Sequence, residues 1–134
     1  MKLVVVDSLH LFNARTVLPC ENRERKVGEV VRKLKKLALD SNTAVVVTSQ
    51  LSNNPGPRQP IPRPPTLAGF RDTGSIAHVA DKVILLHRPD TSDRNDPRGG
   101  EADIIVAKHR FGSAVTVAVA HQLHYSRFVD IARG

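Results

Sequence analysis

An α/β fold, with a mostly parallel sheet and a β-hairpin near the C-terminus, is predicted by three features of the sequence. Residues 3–6, 44–47 and 83–86 are short continuous apolar runs, as expected of strands buried on both faces. Between the first two runs, Val27, Val30, Val31, Leu34, Leu37 and Ala38 recur with the spacing of one helical face. Finally, residues 101–119 carry β-branched runs on both sides of Phe111-Gly112-Ser113, the pattern of two antiparallel strands and a turn.

The first run ends in Asp7 and Ser8. Open α/β sheets do their chemistry just past the carboxyl ends of such strands. An aspartate there either holds Mg²⁺ through water or simply begins a turn. Residues 11–22 read as a loop with Pro19, and Asn22 is a candidate helix cap. The helix expected over 23–39 turns Arg25, Lys26, Arg32, Lys33, Lys35 and Lys36 away from its apolar side. A solvated face covering a sheet explains them without a nucleic-acid stripe. Asp40-Ser41-Asn42 ends the helix, and the second strand ends in Thr48-Ser49-Gln50. Strand, helix and strand of these lengths make a βαβ unit with parallel strands and a right-handed crossover. Asp7 and Gln50 are therefore expected at the same edge of the sheet. Gln50 either orients a water near a γ-phosphate or only caps its strand.

Residues 52–66 contain six prolines and the cations Arg58 and Arg63, which excludes a helix or a central strand. A short helix and a glycine turn are expected around 67–76. Asp81 then leads into the third strand, 88–100 is an exposed connection, and 125–131 forms a last short strand. In the hairpin, alternation would put Lys108 and Arg110 on one face and His109 on the other. Two adjacent cations beside a turn either reach a phosphate on a neighbouring molecule or protect a solvated strand edge.

At 134 residues the chain has room for one domain. Apolar residues make up 40% and aromatics 4%, so the core is aliphatic. A net charge of +7 points to a polyanionic partner, whether nucleic acid, nucleotide or membrane surface. Cys20 is the single cysteine, which excludes an intramolecular disulfide and a cysteine zinc site. The six histidines stand singly or as His121-x-x-His124, with no carboxylate or cysteine at ligand spacing, which argues against a metal site. No run is long enough to span a bilayer, so a cytoplasmic address and no membrane partner are expected.

The blocks LVVVDSLHL, VVVTSQL, FRDTGSIAHVADKVILLHR and GEADIIVAKHRFGSAVTVAVAHQLHYSRF, in that order, resemble the C-terminal ATPase domain of DnaB-type replicative helicases. The resemblance spans essentially residues 1–134. It implies a truncated RecA-like P-loop NTPase core that uses ATP and Mg²⁺, works as a homo-hexamer and translocates on single-stranded DNA. By matching position, Asp7 would be the Walker B aspartate, acting on Mg²⁺ through water. Gln50 would sense the γ-phosphate. Arg71, Asp72 and Gly74 would grip the DNA backbone. Lys108 and Arg110 would enter the neighbouring protomer's nucleotide site.

The chain departs from the family pattern in several places. It has no GxxxxGK[ST] loop and no upstream catalytic glutamate. Ser8 and His10 stand where the family has Tyr and Gln, Asp72 and Thr73 where it has Glu and Ser, and Phe111 where it has Asn. The proline-rich loop is one residue out of step near Pro64, so Arg63 takes no role. A fragment is therefore expected, needing a complementing P-loop half, marginally stable and weak in ATP binding by itself. Primase or loader contacts would run through regions outside it. The competing expectation is a catalytically inactive module that binds single-stranded DNA or docks on an intact helicase. Another RecA-family ATPase, of recombination or clock type, fits the RDTGSI and KHR blocks less well.

Overall fold

The computed structural model describes residues 2–9, 23–51, 64–67, 74–91 and 95–131, with residues 23–25, 74 and 75 described through their backbone. The candidate cap Asn22, most of the proline-rich loop, and Arg71 and Asp72 lie outside the described residues. The chain divides into two compact units.

The first unit holds β1 (Lys2–Val6), α1 (Arg23–Asp40), β2 (Thr43–Val47) and α2 (Gly74–Val79). Strands β1 and β2 pair in parallel from Lys2 opposite Thr43 to Val6 opposite Val47, as the βαβ pattern requires. Helix α1 packs on β2 and α2, burying Val27 and half-burying Val30, Val31, Leu34 and Ala38. It ends where Asn42 takes a left-handed backbone (φ 47°) and the Ser41 amide and hydroxyl both donate to Leu37 O. Arg32, Lys33 and Lys36 are exposed, with Lys36 paired to Asp40 at 3.3 Å. These three keep to the solvated face expected from the sequence, whereas Lys26 and Lys35 are half-buried and Leu37, expected on the apolar face, is exposed.

The second unit contains β3 (Lys82–His87), β4 (Glu101–His109), β5 (Val115–Gln122) and β6 (Arg127–Asp130), an antiparallel sheet in the order β3-β4-β5-β6. The expected hairpin is β4–β5, with Val106 opposite Val115 and Glu101 opposite Ala120. The antiparallel part is thus larger than a hairpin, since it takes in β3 and β6. Gly100 (φ 87°) makes the bend into β4, a conformation strained for any other residue.

Burial on both strand faces does not hold within this chain. Leu3 and Val5 on β1 are 61% and 60% exposed, and Val46 on β2 is 50% exposed. On β3, Val83 and Leu85 are buried, while Ile84 and Leu86 are exposed. The register explains the second case. Ile84, Val106 and Val115 form one cross-strand row and Leu86, Ile104 and Val117 the next, on a single face of the sheet. A continuous apolar run reports what a strand needs to have covered. It does not say that the same chain supplies the cover.

Among the described residues of the second unit, one charged group is buried. Asp103 receives both terminal nitrogens of Arg98, at 2.6 and 3.1 Å, while Arg98 Nε donates to Glu101 at 2.9 Å. The Arg98 hydrogen bonds hold the Asp103 carboxyl below the ordinary carboxylate range, against the burial that pushes it up. A depressed folded-state pKa adds stability above the unfolded value, about 3.9, and loses it as pH falls through the lower folded value. Asp103→Asn is expected to cost about 2 kcal/mol at pH 7. Thermal melts followed by circular dichroism from pH 7 to pH 3 should show the variant less sensitive to acid than the parent.

Candidate nucleotide site and basic hairpin

Because β1 and β2 run parallel and in register, their carboxyl ends fall together. The Thr48 amide donates to Val6 O at 3.0 Å and the Leu9 amide to Thr48 O at 2.9 Å, so the pairing continues past the strands. Asp7 follows β1 directly and is exposed, and its Oδ1 accepts from the Thr48 hydroxyl. Gln50, also exposed, lies two residues beyond Thr48. A carboxylate steadied by a neighbouring hydroxyl and open to solvent suits a hydrated Mg²⁺, a hard cation that keeps most of its waters. These donors therefore fit the ion. The Asp7–Ser8 peptide is cis. Thr48 was not singled out from sequence; its signal is a hydroxyl just past the strand parallel to one that ends in aspartate.

Lys108 and Arg110 belong to the second unit. Lys108 lies opposite Val83 and is half-buried, and Lys82 lies opposite His109. Strand β4 ends at His109, so Arg110 is in the turn, where strand alternation no longer sets its direction. A register shift between Val83 and Ile84 also interrupts the two-residue period just before it. Asp81 sets the direction of Arg110 instead. The Arg110 amide donates to Asp81 O at 2.8 Å, and the guanidinium Nη1 meets Asp81 Oδ1 at 3.3 Å. The Phe111 ring lies 5.6 Å from the guanidinium carbon. The side chain stays 60% exposed and Phe111 83%. His109 is tucked against Gly112 so closely that a Cβ there would collide with its ring.

At the far end of this sheet His121 Nε2 pairs with Asp90 at 3.0 Å, and Arg88 holds the other Asp90 oxygen at 3.0 Å. Burial pushes the Asp90 carboxyl up, but hydrogen bonds from His121 and Arg88 outweigh it and the group is lowered. These contacts fasten the short turn Pro89–Thr91 to β5. Of the expected DNA-gripping residues, Gly74 opens α2, while Arg71 and Asp72 lie outside the described residues. Among the described residues no cluster of metal-binding side chains occurs, and no helix is long and apolar enough to cross a membrane.

Solved structures place this α/β fold, with its parallel pair and its antiparallel sheet, among RecA-like ATPase domains. One solved ATPase domain matches with a TM-score of 0.84 and 30% identity, over 96% of this chain and 44% of that one. A DnaB-like replicative helicase, described with its interactions with primase, matches with the same score and identity over 96% of this chain and 31% of that one. Residues 1–130 match the DnaB-like helicase C terminal domain, and the chain belongs to that family. It is 52% identical to the replicative DNA helicase DnaB of Mycobacterium leprae over 99% of its own length and 21% of the relative's. The Geobacillus stearothermophilus DnaB is 34% identical over 98% of this chain and 28% of its own length. The chain thus spans between about a fifth and somewhat more than a quarter of the curated relatives it matches.

Proposed function

We propose that this chain is the portion of a replicative helicase ATPase domain that works on nucleotide phosphates from two sides. The observation that carries this is the parallel, in-register pairing of β1 and β2, which brings Asp7 and Gln50 to one sheet edge. Asp7 acts on the water shell of Mg²⁺, and Gln50 orients against the γ-phosphate of ATP. Lys108, near the end of β4, and Arg110, on the exposed turn that follows, serve a nucleotide held by a neighbouring protomer of a homo-hexamer. Arginine suits that role because its charge is permanent and its donors are planar. The bound Mg²⁺–ATP supplies the electrophilic phosphorus, and the protein supplies position and charge. A P-loop half must complete the site. The released energy drives translocation on single-stranded DNA and unwinding of the duplex, in the cytoplasm, and primase or a loader docks elsewhere on the full assembly.

Mixing tests this reading. Added to a helicase that lacks its own C-terminal half, the chain is expected to restore DNA-stimulated ATP hydrolysis. DNA binding or docking on intact helicase without restored hydrolysis would instead identify a catalytically inactive module. Arg71, with Asp72 and Gly74, is assigned to the DNA backbone. Arg71→Ala is expected to weaken binding equally for all sequences and to lower the salt slope by roughly 0.7, the value for one phosphate contact on a single strand. A changed sequence preference in anisotropy titrations would contradict backbone contact.

A further inference from the structure

We propose that Asp81 is a positioning residue for Arg110, presetting the guanidinium in the orientation in which it meets a phosphate bound by a neighbouring protomer. The inference rests on the role of Arg110 across the protomer interface and adds a residue to it. Asp81 grips Arg110 twice, through its carbonyl on the backbone amide at 2.8 Å and through its carboxylate on Nη1 at 3.3 Å. The first contact fixes where the side chain leaves the turn, and the second fixes where it ends. The Phe111 ring, 5.6 Å from the guanidinium carbon, adds a third restraint. The pairing of Lys82 with His109 sets this geometry up, because it puts the preceding Asp81 beside the following Arg110. A guanidinium has five N–H donors in one plane, so a carboxylate on one edge leaves others to receive phosphate. Asp81 is 40% exposed at its side chain, and an ion pair in so much water is weak. It orders Arg110 without withholding it from a doubly charged phosphate oxygen cluster. Presetting a donor before the reaction is what makes a catalytic charge effective.

Asp81→Asn keeps the carbonyl and the shape and removes the charge. In the assembly of this chain with a P-loop-bearing half, the variant is expected to lower kcat about fivefold with KM unchanged, and Asp81→Glu to recover part of the loss. In an Arg110→Ala background the same change should cost nothing further, whereas a merely structural role would subtract again. An additive loss, or an unchanged kcat in the single variant, overturns the proposal. If Arg110→Ala itself leaves kcat intact, the interface role fails and this proposal fails with it. If only Asp81→Asn is silent, the interface role stands. On the 134-residue chain alone, the ¹⁵N resonance of Arg110 Nε should shift and narrow in Asp81→Asn at an unchanged melting temperature. An unmoved resonance overturns the positioning role independently of any enzyme assay.

Discussion

Arg110→Ala is expected to lower the ATPase rate of the complemented assembly by roughly a thousandfold, the lower end of what arginine fingers supply in phosphoryl transfer. ATP affinity should change little. A finger delivered by a second protomer interacts most strongly with charge that develops in the transition state, so its removal appears in kcat and kcat/KM together. The exposure of this side chain and its attachment at the base of the turn suit such a delivery. Lys is not an adequate replacement, because an ammonium lacks the planar fork, so Arg110→Lys should recover only a small part of the rate. Quench-flow measurement of the hydrolysis step, beside equilibrium binding of a fluorescent ATP analogue, separates the two effects. A loss of binding as large as the loss of rate would remove the case for action across the interface.

Under the role proposed for Asp7, Asp7→Asn should cost about a hundredfold in kcat at ordinary Mg²⁺, since one fixed charge beside the metal would be lost. Asparagine keeps an oxygen that can accept from Thr48, so the local fold is expected to survive. The Mg²⁺ concentration needed for half-maximal rate should rise, and circular dichroism should overlay on the parent. Rates indifferent to Asp7→Asn across a magnesium titration would take this aspartate out of the metal's surroundings.

Much of the architecture could be read from short-range pattern. The 3.6-residue spacing from Val27 to Ala38 predicted α1, and the apolar runs 3–6 and 44–47 predicted β1 and β2. Strand–helix–strand order then dictated parallel pairing, and parallel pairing brought Asp7 and Gln50 to one edge. The hairpin was equally legible, because β-branched runs flank Gly112. In these places each local preference agrees with its neighbours, and little is left for long-range contacts to decide.

Other features depended on residues far apart in sequence. The bond from Thr48 to Asp7, 41 positions earlier, follows only once β1 and β2 are known to lie side by side. The alternation that should orient Arg110 stops at His109, and Asp81, 29 positions earlier, takes over. Arg98 and Asp103 are close in sequence, but only folding makes Asp103 a buried carboxylate with its acid titration displaced. Residue order by itself was enough for the parallel pairing of β1 with β2, the β4–β5 hairpin and the family, but not for the antiparallel pairing of β3 with β4 or for the start of α2 at Gly74. Tertiary structure alone decided which side chains hold Asp7 and Arg110, and which of the described apolar strand residues stand exposed. The physical reason is range: helix and strand preferences act over a few residues, whereas hydrogen bonds, ion pairs and burial join whatever the fold brings within a few ångströms.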